Sequence, residues 1–238
     1  MNNDTSDKKF RSYVISQGEQ AGSGRPVTPV FLPNPCITIS YQTGIDVPDI
    51  SAELVQRLQQ TWPESARRWQ IFDHEIIEQA VQEERWPKKT AEQITEHKRR
   101  FVEELIDDLC GLRPPSWVLV PRVAKVISSL AREGSVVLVG HGATVVTAKM
   151  TNVFHVRLTG SLDKRAKHLQ LARGLNPVDA IAYIRRTDRR RERFLKAHFK
   201  ARLNDELLYD LTVNTDRLSN EDATTLIYEG AKRFFLRG

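Results

Sequence analysis

The 238-residue sequence has only two cysteines and no long apolar run, and these shortages narrow the classes of protein that fit it. Cys36 and Cys110 form no CxxC pair and no cysteine framework, which is typical of a reducing interior rather than of a secreted disulfide scaffold. No apolar stretch approaches the roughly 18 residues that would span a bilayer, and the N-terminal segment lacks the apolar core of a signal peptide. The sequence therefore predicts a soluble, cytoplasmic protein with no membrane partner.

Charge is abundant, and its balance is basic. The chain has 36 Lys and Arg residues against 30 Asp and Glu residues, a net charge of +6. Such a balance favours polyanionic partners such as nucleotides or nucleic acids, although many basic proteins bind neither. Residues 1–34 are polar and show no sustained hydrophobic period, so they predict a flexible arm. The remaining 35–238 are long enough to form one principal domain with a single core.

From Pro35 onward, strand-like apolar segments alternate with segments whose apolar residues recur at helical spacing. The predicted strands are the apolar run from Cys36 to Ile39, "WQIFD" at 69–73, "GSVVLVGHGA", "NVFHVRL" and "YDLTVNT". Helices are predicted for a segment that opens at Pro48 and for "HEIIEQAVQEE", "KKTAEQITEHKRRFVEELIDDLCGL", "VPRVAKVISSLARE", "SLDKRAKHLQLAR" with Gly174 as its cap, "NPVDAIAYIRRTDRRRERFLKAHF" and "NEDATTLIYEGAKRFF". Near-continuous apolar strands in β-then-α order predict an α/β fold, with a parallel β-sheet sandwiched by helices.

In such a sheet, ligands bind beyond the carboxyl ends of the strands. This rule points to four places: the turn at Gly44, Asp73, the turn at 140–142, and Asn214 with Thr215. The first of them has the strand, glycine turn and helix of a phosphate-binding loop. It lacks the further glycines and the lysine that such a loop uses.

Six segments resemble, in order and spacing, the cytidylate kinase-like family, a branch of the P-loop nucleoside monophosphate kinases. They are "ITISYQTG", "IFDHEIIEQA", "VVLVGHGA", "NVFHVRLTGSLDKRAKH", "RTDRRRERFLKAHF" and "LYDLTVNTDRLS". The resemblance covers about residues 36–235 and implies a P-loop kinase-like three-layer core with helical substrate and lid regions, the lid at about 174–204. It also implies ATP-dependent phosphoryl transfer to a nucleoside monophosphate or a similar small acceptor, with Mg²⁺ bridging the phosphates.

The resemblance also assigns residues to roles. Arg165, Arg191, Arg193 and Asp188 fall on the catalytic arginine and lid positions. Arginines there would neutralise the charge of the phosphoryl group in its transition state. The solvated basic face is the structural alternative for these arginines.

The same resemblance defines the two sides of the site. Thr43, Gly44 and Asp46 fall in the donor phosphate loop, and Asp73 and His141 fall on the substrate side. Asp73 is equally explained as a helix N-cap, and His141 as a hydrogen-bonded turn residue that replaces the family's arginine. No HxxxH or HExxH pair is present, so no metal site is predicted.

The lid segment is strongly basic. Arg185, Arg189 and Arg193 lie four residues apart, which places them on one side of a helix, and Asp188 can pair with neighbouring arginines on that helix. A nucleic-acid or protein partner that docks on this basic lid is a further alternative, in which Phe194 and other rings stack on bases. On a helix, such rings more simply belong to a packed face.

The loop departs from the family pattern in ways that bear on phosphate binding. Gly44 is retained, but Asp46 and Val47 replace two glycines and Pro48 replaces a basic residue. A β-branched residue fits a left-handed nest poorly, and proline donates no N–H. Asp46 is placed to cap the following helix, with Asp49 as a reciprocal contact. Two functions therefore stay open: an active nucleotide kinase, or a pseudokinase that kept the fold without ordinary ATP turnover.

Overall fold

The computed structural model describes residues 30–32, 34–62, 68–73, 119–140 and 142–237. They divide into two units, of which the larger covers Leu32–Phe235. In the smaller unit, strand β1 (Val30–Phe31) pairs antiparallel with strand β7 (Leu236–Arg237). β-pairing thus reaches into the predicted arm at 1–34, whose first 29 residues lie outside the described residues.

Five strands of the larger unit form one parallel sheet. In chain order they are β2 (Cys36–Tyr41), β3 (Gln70–Phe72), β4 (Val136–Val139), β5 (Val153–Thr159) and β6 (Leu211–Asn214). Their order in space is β3-β4-β2-β5-β6, so β2 lies at the centre of the sheet. Every pairing in this sheet is parallel, which confirms the sheet predicted from the apolar segments.

Helices alternate with the strands, as the hydrophobic spacing predicted. They are α1 (Val47–Thr61), α2 (Leu119–Glu133), α3 (Ala143–Val146), α4 (Leu162–Arg173), α5 (Pro177–Phe199) and α6 (Asn220–Phe235), with a 3₁₀ turn at Glu206–Leu208. The short α3 and the 3₁₀ turn were not expected, because so few residues carry no clear period. Gly174 ends α4 in a left-handed conformation, which confirms its predicted role as a cap. The two helices predicted between 74 and 112 lie outside the described residues.

Apolar residues cover both faces of the sheet. On one face, Phe154 of β5 is the register partner of Ile37, and its ring centroid lies 5.2 Å from that of Phe234 in α6. On the other face, Cys36 and Leu138 pack in one buried cluster with residues of α2 and α3. The result is a three-layer α/β fold, as predicted. None of the helices in the described ranges is both long and apolar enough to cross a bilayer.

The second face also carries a buried polar row. The register pairs Thr38 of β2 with His155 of β5 and, one pleat further, Ser40 with Arg157. Thr38 Oγ1 lies 2.8 Å from His155 Nδ1 and 3.1 Å from the hydroxyl of Thr144 in α3. His155 Nε2 is buried and has no hydrogen-bond partner in the described part of the chain. A proton added to this ring would therefore place a charge in the core, which burial disfavours.

We expect His155 to make the protein less stable in mild acid. Burial lowers the pKa of the His155 imidazole below its ordinary 6.5, with the Asp210 carboxylate opposing the shift. The folded ring stays neutral, whereas the unfolded ring takes up a proton below about pH 6.5, so the free energy of unfolding falls as the pH drops through that value. The fall from this group is at most about 1.4 kcal/mol per pH unit.

Urea titrations of the wild type and of His155→Gln between about pH 7.5 and 5 measure this effect. The other histidines titrate in both proteins, so their contributions cancel in the comparison. The difference in unfolding free energy between the two proteins should shrink toward acid. Two parallel stability curves would show that His155 is not responsible.

Candidate functional site

The path of the chain through the sheet defines the edge at which a ligand site can form. After β2 the chain builds β3 and β4 on one side of it, and then crosses to build β5 and β6 on the other side. In open α/β sheets, ligands bind beyond the carboxyl ends of the strands at such a switch point. The loop at 42–46 leaves β2 at this edge and leads directly into α1.

Gly44 holds this loop close against α4. Its φ is 95°, a conformation that favours glycine, and a Cβ here would lie 2.7 Å from the carbonyl oxygen of Arg165. One turn further along α4, Nδ1 of His168 lies 2.9 Å from the carbonyl oxygen of Gly44. The glycine that the loop has retained is therefore required for a close contact with α4.

A carboxylate from α5 binds the loop. The N–H of Thr43 donates to Asp188 Oδ1 at 3.0 Å, and Arg165 Nη1 donates to Asp188 Oδ2 at 2.8 Å. Arg165 Nη1 also donates to the carbonyl oxygen of Thr43 at 2.9 Å, and its Nε donates to that of Gly160 at 3.0 Å. Arg165 is only 8% exposed, so these contacts lie largely out of water. A loop amide and a guanidinium thus converge on one anionic group, and that group belongs to the protein itself.

The structure corrects the predicted partner of Asp188. The sequence placed Asp188 among arginines of its own helix, but within the described residues its ion pair is with Arg165 of α4. Arg191, three residues further along α5, donates instead to the carbonyl oxygen of Tyr41 at 3.1 Å and lies 4.3 Å from the centre of that ring. The reason is burial: an ion pair of a carboxylate with a buried guanidinium contributes more to stability than one with exposed arginines on one helix face.

The exposed side of α5 carries the other lid arginines. Arg185, Arg189 and Arg193 are all exposed, as their four-residue spacing predicted. The structure brings Arg165 and Arg191 together at the loop. No contact between Arg193 and the loop is present among the described residues. A catalytic role for Arg193 therefore stays a prediction from the resemblance.

Aromatic residues near the end of α5 pack on one another. The ring of Phe194 lies 4.8 Å from that of His198 and 6.1 Å from that of Phe199. Leu195 is buried, and a Cβ on Gly142 would lie 2.8 Å from its Cδ2. This end of α5 therefore covers the turn after β4, which favours the packed-face interpretation of these rings over stacking on nucleic acid.

Asp46 caps α1, as predicted. Its Oδ1 accepts from the N–H of Asp49 at 3.5 Å, and its Oδ2 accepts from the side-chain amide of Asn220 at 3.0 Å. Partial burial raises the pKa of Asp46, as do a side-chain hydrogen bond with Asp49 and the charge of Asp49, whereas the hydrogen bond from the Asp49 N–H and the charge of His168 act in the opposite direction. The N-terminus of α1 therefore faces the chain's own carboxylate, and Pro48 adds no N–H there.

The N-terminus of a second helix at this edge, α4, also faces a carboxylate of the protein itself. Asp216, which follows β6, accepts from the N–H of Ser161 at the start of α4 at 2.8 Å. This hydrogen bond lowers the pKa of Asp216. The hydroxyl of Thr215, at one of the four predicted places, donates to the carbonyl oxygen of Thr159 at 3.0 Å.

Of the two residues predicted on the substrate side, the structure describes Asp73, which lies toward the other half of the sheet. Asp73 directly follows β3 and is half-buried, and β4 separates β3 from β2. His141 lies outside the described residues, between Gly140 and Gly142, whose φ values are 77° and 69°. These positive φ values confirm the glycine turn predicted after β4.

Within the described ranges, no group of three His, Cys, Asp or Glu side chains is placed to hold a metal ion.

Reasoning from the sequence did not identify two residues that make contacts in the loop region. The side-chain oxygen of Gln42 accepts from the N–H of Gly160 at 2.9 Å and so ties the loop to the segment before α4. His168 lies one helical turn after Arg165, and the helical period alone would have placed it beside the loop. Gln42 carries no comparable signal, because its contact joins two segments 118 residues apart.

These observations define the class of protein: a three-layer α/β protein with a parallel sheet and a candidate site at the loop after the central strand. A model of the cytidylate kinase-like family matches residues 36–217. The chain therefore belongs to the cytidylate kinase-like family.

Comparison with solved structures finds similar chains at low sequence identity. An uncharacterized protein from Eubacterium ventriosum ATCC 27560 is 16% identical with a TM-score of 0.59, over 84% of this chain and 99% of that chain. A gluconokinase from Sinorhizobium meliloti 1021 is 12% identical with a TM-score of 0.44, over 85% and 94% of the two chains. A shikimate kinase from Bacteroides thetaiotaomicron is 12% identical with a TM-score of 0.43, over 82% and 96%. None of the curated proteins compared with the chain matches it.

Proposed function

We propose that this protein is a pseudokinase: it keeps the kinase fold and the basic lid, and it acts as a binding or regulatory protein without ordinary ATP turnover. The observation that carries the proposal is the Asp188 carboxylate, which accepts from both the loop amide of Thr43 and the guanidinium of Arg165. These are the two kinds of donor that a kinase of this fold would offer to a phosphate.

The residues of the loop do not fit a triphosphate in this arrangement. A phosphate nest needs several backbone N–H groups that turn inward and stay free for the ligand. Here the N–H of Thr43 is taken by Asp188, that of Asp49 by Asp46, and Pro48 has none. The Asp188 and Asp46 carboxylates are thus both engaged within the protein. We therefore derive no catalytic step through ATP or Mg²⁺.

Electrostatics supports the same conclusion. Two unit charges of like sign about 4 Å apart repel by on the order of 4 kcal/mol at an effective dielectric of about 20. A net hydrogen bond to a neutral group contributes about 1 kcal/mol. The repulsion from Asp46 alone would thus outweigh several loop amides.

The second candidate is ATP-dependent phosphoryl transfer to a nucleoside monophosphate or a similar small acceptor. Two observations favour it. Arg165 and Arg191 both reach the loop, where guanidinium groups would neutralise a transferring phosphoryl group. In addition, the hydroxyl of Thr43 is buried and has no hydrogen-bond partner among the described residues, so it is available to a polar ligand.

Calorimetric titration with ATP and with CMP, each with and without Mg²⁺, separates the two candidates. The wild type is compared with Asp46→Asn and Asp188→Asn, because asparagine removes the charge and keeps one of the two carboxylate oxygens as an acceptor. We expect no micromolar ATP binding by the wild type and at least tenfold tighter binding by either variant, since the charge repulsion is relieved.

Asp163→Asn is the matched control, because it removes one carboxylate from the first turn of another helix, α4. It should leave ATP binding unchanged. Micromolar ATP binding by the wild type, together with ADP formation when CMP is added, would overturn the pseudokinase proposal and establish the second candidate.

A further inference from the structure

Arg157 is a buried cation, and its contacts with the described residues include no carboxylate. It lies near the end of β5, and its side chain is 5% exposed. No ion pair joins it to an Asp or Glu side chain in the part of the chain that the structure describes. Arginine carries its charge in any protein environment, and charged side chains are almost never buried without a partner. A ligand that supplies the missing negative charge would resolve this imbalance.

The contacts that Arg157 makes stabilise its charge too weakly to offset the cost of its burial. Its Nη1 donates to the hydroxyl of Ser40 at 2.8 Å, and its guanidinium carbon lies 5.5 Å from the ring centroid of Tyr209. A neutral hydroxyl and an aromatic ring each stabilise a guanidinium less than a carboxylate or phosphate does. Removal of a cation from water costs more than these two contacts return.

The surroundings of Arg157 hold more donors than acceptors. A guanidinium has five N–H groups, and the described hydrogen bonds use one. The hydroxyl of Tyr209 donates to the carbonyl oxygen of Leu203 at 3.0 Å and lies 3.4 Å from the Ser40 hydroxyl. Because Ser40 Oγ accepts from Arg157 and the Tyr209 proton goes to Leu203, the Ser40 proton has only the Tyr209 oxygen within hydrogen-bond distance among the described residues, and the other guanidinium N–H groups have no acceptor there. The missing group is therefore an acceptor with negative charge.

Among the described residues, the carboxylates near this point are either absent or already hydrogen-bonded. Asp210 follows Tyr209 in the chain, but its Oδ2 accepts from the backbone N–H of His155 at 2.7 Å. Ser40 and Arg157 are register partners toward the carboxyl ends of the two central strands, which is the edge where ligands bind in this class of sheet. The donors thus lie where a ligand from solvent would arrive.

We propose that Arg157, Ser40 and Tyr209 bind a phosphoryl group, as inorganic phosphate or as the phosphate of a nucleoside monophosphate. A forked guanidinium beside hydroxyl donors matches the several oxygens of a tetrahedral phosphate. This inference goes beyond the proposed function and does not rest on it, because no described side-chain contact joins these three residues to Thr43 or Asp46. A protein that never binds ATP at the loop can still hold a phosphate here.

Calorimetry and thermal unfolding with inorganic phosphate, sulfate and CMP test the proposal on the full chain. For the wild type we expect phosphate to bind and to raise Tm, and for Arg157→Gln we expect at least tenfold weaker binding and loss of the Tm increase. Ser40→Ala keeps the cation, so we expect a smaller weakening of about three- to tenfold. Arg189→Gln, which removes one exposed cation from α5, is the matched control and should bind phosphate as the wild type does.

A structural role for Arg157 predicts different results. Without phosphate, Arg157→Leu should unfold at the same Tm as the wild type or higher, because it removes an uncompensated buried charge. A much lower Tm with an unchanged phosphate response would overturn the proposal, as would an absence of phosphate and CMP binding by the wild type. Tighter binding of CMP than of phosphate would identify a nucleotide as the source of the phosphoryl group, and equal binding of phosphate and CMP would identify the free anion. Neither result depends on the ATP titrations of the Asp46 and Asp188 variants, so the two proposals fail separately.

Discussion

Gly44→Ala should lower the free energy of unfolding by about 3 kcal/mol or more, from two sources. At a φ of 95°, a residue with a Cβ is strained by about 1 to 3 kcal/mol. The new methyl group would also lie 2.7 Å from a backbone carbonyl oxygen of α4, and a clash with backbone costs about 1 to 3 kcal/mol more. Urea denaturation of the variant and the wild type measures the sum.

Gly174→Ala is the control for this prediction. Gly174 also has a positive φ, 66°, but a Cβ there would meet no atom within 4 Å. Its substitution should therefore cost only the backbone term, about 1 kcal/mol. If both variants lose the same stability, the close approach of the loop to α4 is not what Gly44 provides.

Arg165→Met should destabilise the protein by about 3 kcal/mol, because it leaves the Asp188 carboxylate and the Thr43 carbonyl oxygen without their cation. Loss of one partner of a fully buried ion pair typically costs about 3 to 5 kcal/mol. The Asp188 side chain is 29% exposed, so water screens part of the charge and the lower end of that range applies. Methionine keeps roughly the aliphatic stem of the side chain and removes the guanidinium with its charge and donors.

A double-mutant cycle identifies the ion pair as the cause. Adding Asp188→Asn to Arg165→Met removes the unpaired carboxylate, so the double variant should be more stable than the sum of the two single losses predicts. Arg185→Met, an exposed arginine on α5, should change stability by no more than about 0.5 kcal/mol. Additive losses in the cycle would mean that Arg165 stabilises the fold through packing rather than through Asp188.

Much of the fold follows from local patterns in the sequence. The apolar runs of β2, β4 and β5 predict strands that are buried on both faces, and the parallel sheet follows from their alternation with helices. Asp46 as the cap of α1 and Gly174 as the end of α4 follow in the same way, because capping depends on residues that are adjacent in the chain.

The contacts of the candidate site are harder to predict from local sequence patterns, because they join segments that are distant in the chain. Asp188 lies among arginines in the sequence, and only the packing of α5 on the loop shows that Arg165 and Thr43 are its partners. Arg157 is visible in the sequence as a cation inside an apolar strand, but the absence of a carboxylate near it depends on the three-dimensional arrangement of β2, β5 and the segment at 203–210.

The hydrogen bond from Thr43 to Asp188 makes one backbone amide a natural reporter of any separation of α5 from the loop. This amide is held by a residue 145 positions further along the chain, rather than by a neighbouring strand or turn. Its exchange with deuterated water is therefore expected to be slow while α5 lies on the loop and to speed up each time the helix departs. One NMR signal would then give the free energy of that separation in the unliganded protein, with no substrate and no attached probe.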